Sequence, residues 1–153
     1  MDAQKLRHAT LTFNRICEAP IERVFRAFAD VDERMRWGAP SDSTAFFYDE
    51  ADFRVGGRDV FRCGAKDNHQ YVGVTRYYDI VPNRRIVSSE AVEAHDVKLM
   101  VSLSTTTFEP EGEGTRVTVT TQVTSLGGDD MIKGTEAGNN ASLDNLVKIM
   151  EQN

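Results

Sequence analysis

Asp52-Phe53-Arg54-Val55-Gly56-Gly57-Arg58, followed by the alternating stretch Asp59 to Cys63, is the part of the chain whose reading decides the fold. Two adjacent glycines between strand-like runs call for a backbone at positive φ, or for a close approach where no Cβ fits. At least one of the pair is therefore expected at positive φ in a tight turn between strands. Alanine at the strained position is expected to cost more than ~1 kcal/mol. Outward from this turn the chain is punctuated by Trp37-Gly38-Ala39-Pro40, Tyr71-Val72-Gly73, Val81-Pro82-Asn83 and Gly114-Thr115-Arg116.

Upstream, Leu11 and Phe13 alternate with Thr10, Thr12 and Asn14, which predicts a half-buried first strand running to about Cys17. Pro20 suits the first position of a helix, where a missing N–H costs nothing. Ile21, Val24, Phe25 and Phe28 then fall on one apolar stripe. Asp30 with Glu33 forms a capping-box-like pair that opens a second short helix, and Gly38 and Pro40 stop it. Two short helices directly after a strand form an insert, not a βαβ crossover.

Downstream, Ala45 to Val123 reads almost entirely as strand and turn. Strands are expected at 45–48, 58–63, 71–80, 86–92, 98–108 and 115–123. The reversals fall at Gly64 to Asn68, at Pro82-Asn83 and at Pro110 to Gly114. In the last strand Val117, Val119 and Val123 share one face, and Arg116, Thr118, Thr120 and Gln122 take the other. Hairpin-linked strands at this spacing imply an antiparallel meander that curls. From about Asp129 to Met150 one long helix closes the chain. Its inward stripe runs through Ile132, Thr135, Asn139, Ser142 or Leu143, Leu146, and Ile149 or Met150. Gly134 and Gly138 weaken its first half and suggest a close approach to the sheet or a bend.

The 153 residues suffice for a single domain, 1–153, burying roughly 70% of its unfolded-chain surface. A net charge of −6 argues against a nucleic-acid partner, and an anionic membrane would repel it. Two cysteines, Cys17 and Cys63, are too few for a disulfide framework or a four-ligand zinc site and are read as reduced thiols. The N-terminus has no apolar leader segment and no run approaches a membrane span, so a cytoplasmic protein without membrane insertion is expected. His8, His69 and His95 are scattered without ligand spacing, and no metal or other cofactor is expected. There is no G-x-S-x-G, and Gly56-Gly57 does not open a helix as a phosphate loop would. Asp49-Glu50-Ala51-Asp52 reads as a solvated acidic loop.

Five stretches in register carry a resemblance: Ala19 to Phe25, Arg36-Trp37-Gly38, Asp52 to Arg58, Phe108-Glu109-Pro110 with Gly114-Thr115-Arg116-Val117, and Leu143-Asp144-Asn145-Leu146. Together they resemble the activator of heat-shock-protein ATPase homologue-like family, within the SRPBCC/START-like superfamily. The resemblance runs from about Phe13 to Met150. It implies an α+β helix-grip fold: a curved antiparallel sheet around a long C-terminal helix, with two short helices after strand 1. All five stretches look like fold-building positions, and none carries catalytic chemistry by itself. Where many relatives follow the glycine of the last helix with a tryptophan, this chain has Gly138-Asn139-Asn140. An indole there would fill space between helix and sheet, whereas an asparagine is smaller and must have its polar atoms satisfied if buried.

Such a fold implies a cavity between sheet and helix that binds a small hydrophobic or amphipathic molecule. Trp37, Phe47, Phe61, Tyr71, Met100, Asn139 and Leu143 are the candidate ligand-binding residues, with none catalytic. Alternation puts only half of each strand's side chains on the concave side, and the sequence does not settle which half. Asn139 is expected to face that space, satisfied either by a sheet backbone or water or by the ligand. Two other readings stay open. One is an enzyme that moves protons on a cyclic or polyketide-like substrate in the same pocket. The other is a chaperone-interacting module, although the namesake relatives carry a further chaperone-contacting domain for which this length leaves no room. The oligomeric state, monomer or homodimer, is open.

Overall fold

Alternating burial fixes the first element. In the computed structural model, which describes residues 6–39 and 43–152, Leu11, Phe13 and Cys17 of β1 (Arg7–Cys17) are buried and Thr10, Thr12 and Asn14 are exposed. Helices α1 (Ile21–Ala29) and α2 (Val31–Gly38) follow, then β2 (Thr44–Glu50), β3 (Arg58–Ala65), β4 (Asn68–Val81), β5 (Arg85–Ala94), β6 (Val97–Glu111) and β7 (Gly114–Ser125). Helix α3 (Asp129–Glu151) comes last. The strands make one antiparallel sheet in the order β1-β7-β6-β5-β4-β3-β2, with β5 at its centre. Bulges at Tyr48/Glu50, Cys63/Ala65, Tyr77/Asp79 and Val92/Glu93 lie in the β2–β6 half and help to curl it. This is the expected α+β helix-grip arrangement.

The glycine turn behaves as its composition requires. Gly56 sits at φ +83, and a Cβ on Gly57 would run into the carbonyl oxygen of Asp52. Both backbones pair with Tyr77: Gly56 N–H donates to its carbonyl at 2.9 Å, and Tyr77 N–H donates to the Gly57 carbonyl at 3.1 Å. The turn therefore continues the β3–β4 ladder and fixes where β3 begins.

Three local expectations are corrected. Pro20 is the N-cap of α1 and not its first helical residue; its carbonyl accepts from Arg23 and Val24. Asp30 does cap α2, accepting from the N–H of Asp32 at 2.8 Å and of Glu33 at 3.2 Å. Glu33 does not reciprocate, because its carboxylate is drawn to Arg23 at 2.6 Å and Arg26 at 3.4 Å. Gly134 and Gly138 make no close approach, since a Cβ on either would have no atom within 4 Å. Pro40 lies outside the described residues.

Helix α3 is held by polar clips on two sides and apolar packing beneath. Arg15 of β1 donates to Asn140 Oδ1 at 2.9 Å and pairs with Asp144 at 2.9 Å. On the other flank, Ser142 Oγ donates to the Gly38 carbonyl at 2.8 Å and Asn145 Nδ2 to the Ala39 carbonyl at 2.9 Å. These bonds satisfy carbonyls at the end of α2. Leu143, Leu146 and Met150 are the buried members of the stripe; Ile149 packs half-buried against the core, and Ser142 bonds to the end of α2 instead. The helix packs chiefly on β1, α2 and β7. Its packing against β4 and β5 is sparser.

Candidate functional site

Strand β6 is built inside out. Its apolar Val101 and Leu103 are exposed on the convex face, at 51% and 43%, while Ser102 and Thr106 are buried on the concave face with Met100 and Phe108. Ser104, between them, shares a 2.9 Å hydrogen bond with the buried Thr121 of β7. Strand β5 repeats the arrangement, placing Ser88 and Glu90 between the buried Ile86 and Val92. Register aligns Asp59, Thr75, Glu90, Ser102 and Val123 in one row across the sheet. Polar groups thus floor the concavity where a packed core would carry branched apolar residues.

Glu90 is the group that stands out on this floor. It occupies the middle strand, and it has no hydrogen bond or ion pair among the described residues. Its side chain is partly reachable by water yet lies deep among protein atoms, and burial pushes its carboxyl up to about 7. Tyr48 of β2 and Cys63 of β3 lie near enough for Glu90 to raise their own values. For Cys63, burial first and Glu90 second push the thiol up to about 11. For Tyr48, burial acts first and raises the phenol, while Arg34 pulls it back. Tyr48 is also without a hydrogen bond among the described residues. Glu90, Tyr48 and Cys63 therefore influence one another electrostatically from three strands, and no hydrogen bond joins them among the described residues.

One wall of the concavity is aromatic. The Phe61 ring lies over the backbone of Gly73, the residue opposite it on β4, where a Cβ would overlap the ring. Phe46 stacks on Phe61 at 4.8 Å with an interplanar angle of 19°, and Tyr48 flanks both. Behind Tyr48 sits a buried charged network. The Arg34 guanidinium lies 4.7 Å from the Tyr48 ring centre. Its Nη1 donates to Tyr77 Oη at 2.8 Å and to the Phe28 carbonyl at 3.2 Å, and it pairs with Asp59 at 3.3 Å. Tyr77 donates its hydroxyl proton to Asp59 Oδ2, and the Asp52 N–H donates to Asp59 Oδ1 at 3.0 Å. This network anchors α2 and the glycine turn to the sheet.

The structure brings together some of the residues expected at the site and displaces others. Phe61, Met100 and Leu143 are buried, and Tyr71 packs half-buried against the same core. Phe47 is the correction: it is 42% exposed, and its neighbours Phe46 and Tyr48 are the β2 residues packed inward. Trp37 is taken up in holding the two short helices together. Its Nε1 donates to the Ala27 carbonyl at 3.0 Å and its ring meets Phe28 at 4.9 Å. Asn139 is half-buried, but its Nδ2 donates to the Thr135 carbonyl at 2.8 Å, inside its own helix and not to a sheet backbone. One turn earlier on that face, the Thr135 hydroxyl is 3.3 Å from Met100 Sδ, so this side of α3 looks toward the sheet.

Glu90, Tyr48, Ser102 and Ser104 are absent from the sequence-based set. The only trace of them there is a serine-leucine alternation whose phase Met100 and Phe108 reverse. Two open depressions of about 430 Å³ lie elsewhere, one along His8–Thr10 and Gln122–Thr124, the other lined by Arg36, Thr44, Lys66 and Lys148. Neither includes Thr75, Ser88, Glu90, Ser102 or Ser104. Among the described residues, no helix is long and apolar enough to cross a membrane.

Comparison with known proteins supports the architecture. The family model of the Activator of Hsp90 ATPase homolog 1-like protein matches residues 18–151. An uncharacterised protein from Rhizobium leguminosarum is similar at 30% identity over 97% of both chains, with a TM-score of 0.82. The Mll3558 protein from Rhizobium loti is 35% identical, covering 94% of this chain and 97% of its own, with a TM-score of 0.81. Protein CV1439 from Chromobacterium violaceum is 26% identical over 93% of this chain and 96% of its own, with a TM-score of 0.80. No curated protein matches the chain significantly.

Proposed function

Because the chain belongs to the Activator of Hsp90 ATPase homolog 1-like family, whose helix-grip fold suits ligand binding, we propose that it binds a small hydrophobic or amphipathic molecule between the sheet and α3. The observation that carries this reading is the concave floor of β4–β6. It exposes Thr75, Ser88, Glu90 and Ser104 partly to water while α3 packs on β1, β7 and α2. A few convergent polar groups against aromatic walls are what small-molecule sites present. Asn139, one turn before the buried Leu143, borders the space on the helix side.

Asn139→Trp tests the reading by filling that space. The variant is expected to keep its fold and thermal midpoint and to bind an apolar fluorescent probe roughly tenfold more weakly, a loss of about 1.4 kcal/mol. Probe fluorescence titration checks it. Undiminished probe binding by a folded variant would place any binding site elsewhere.

A further inference from the structure

The chemistry at Glu90 narrows the ligand class. A carboxylate at the centre of the middle strand, facing inward, is costly to keep without a partner, and an apolar residue there would be better for stability alone. Among the described residues no arginine, lysine or histidine pairs with it. Arg34, the buried cation of the neighbouring network, is already matched by Asp59. The groups that face Glu90 from the neighbouring elements are Tyr48 of β2 and Cys63 of β3, with the Arg34–Asp59–Tyr77 network behind Tyr48. Thr75 of β4 and Ser102 of β6 are its register partners, and neither titrates. Burial holds the Tyr48 and Cys63 protons in place at neutral pH, whereas it pushes the Glu90 carboxyl up to about 7. A carboxylate beside aromatic faces is complementary to an ammonium, which the carboxylate neutralises and the rings favour through their π-faces.

We propose that this site selects amphipathic molecules carrying a protonated amine. The ammonium rests on the Glu90 carboxylate beside the Tyr48 hydroxyl, and the apolar body lies against Phe46, Phe61 and Tyr71. The proposal rests on the pocket reading above and adds the charge of the ligand. No proton leaves the ammonium; Glu90 gives up its own proton, where it holds one, on binding.

The test compares 4-phenylbutylamine with 4-phenylbutanol, which share an apolar body and differ in the head group. Isothermal titration at pH 8 is expected to show the amine binding roughly tenfold more tightly than the alcohol. That preference should shrink at pH 5.5, where Glu90 is protonated. In Glu90→Gln the ratio of amine to alcohol affinity at pH 8 should fall to about one. The wild-type pH dependence makes the same test without any substitution. If both compounds bind equally at pH 8, or Glu90→Gln keeps the amine preference, the charge assignment is overturned and the pocket reading stands. If neither compound binds, the pocket reading fails and the charge assignment with it.

Discussion

Replacing Asp59 by alanine is expected to cost about 3–5 kcal/mol of folding stability, the largest loss of any single substitution at the site. Arg34 carries a guanidinium on a side chain that is only 9% exposed. Its Nε and Nη2 already lack hydrogen-bond partners among the described residues and lie among aromatic rings. Asp59, 2% exposed, is its countercharge and also accepts from the Tyr77 hydroxyl and the Asp52 N–H. Alanine at 59 would strand a buried cation, a buried phenol and a turn amide together. Urea unfolding of Asp59→Ala measures the loss. Adding Arg34→Met should recover part of it, because the double variant no longer buries an unpaired charge. A single-variant loss below about 1 kcal/mol would mean that water reaches Arg34 and that the network is not a buried one.

Gly73→Ala is expected to destabilise by about 2–3 kcal/mol, toward the upper end of overpacking costs. A methyl group there would occupy the place of the Phe61 ring, which is 3% exposed and stacked on Phe46. The ring is packed on Phe46 and against the Gly73 backbone, so it must shift to admit the methyl group. Thermal unfolding should therefore fall together with probe binding, as Phe61 swings into the space a ligand would use. Phe61→Leu in the Gly73→Ala background should restore part of the stability, since the smaller side chain clears the methyl. Wild-type stability in Gly73→Ala would show that the ring is not held against the strand.

The fold was legible because its signals were local and mutually consistent. Gly56-Gly57 needed a turn that only glycine allows, and Leu11 with Phe13 gave β1 a phase. The Ile21, Val24, Phe25 and Phe28 stripe gave α1 its buried face. The site was much less legible, for two physical reasons. Phe46, Phe47 and Tyr48 are apolar in succession, so β2 has no phase of its own; packing against Phe61 selects Phe46 and Tyr48 and leaves Phe47 outside. In β5 and β6 the phase points the wrong way, because Val101 and Leu103 read as core and Glu90, Ser102 and Ser104 as surface. Hydrophobic periodicity assumes that the inner face is packed, and here it is polar. Arg34 and Asp59 were missed for a related reason: charges that neutralise each other across 25 positions of sequence look like two solvated residues. A binding site is where a local rule is expected to fail.

The most direct measurement of the central claim is amide chemical-shift mapping of the ¹⁵N-labelled protein titrated with 4-phenylbutanol. Ligand binding on the concave face predicts the largest changes at Thr75, Glu90, Ser102 and Ser104 of β4–β6 and at Asn139 of α3. Changes confined to Arg36, Lys66 and Lys148, or to Val101 and Leu103 on the convex face, would contradict it.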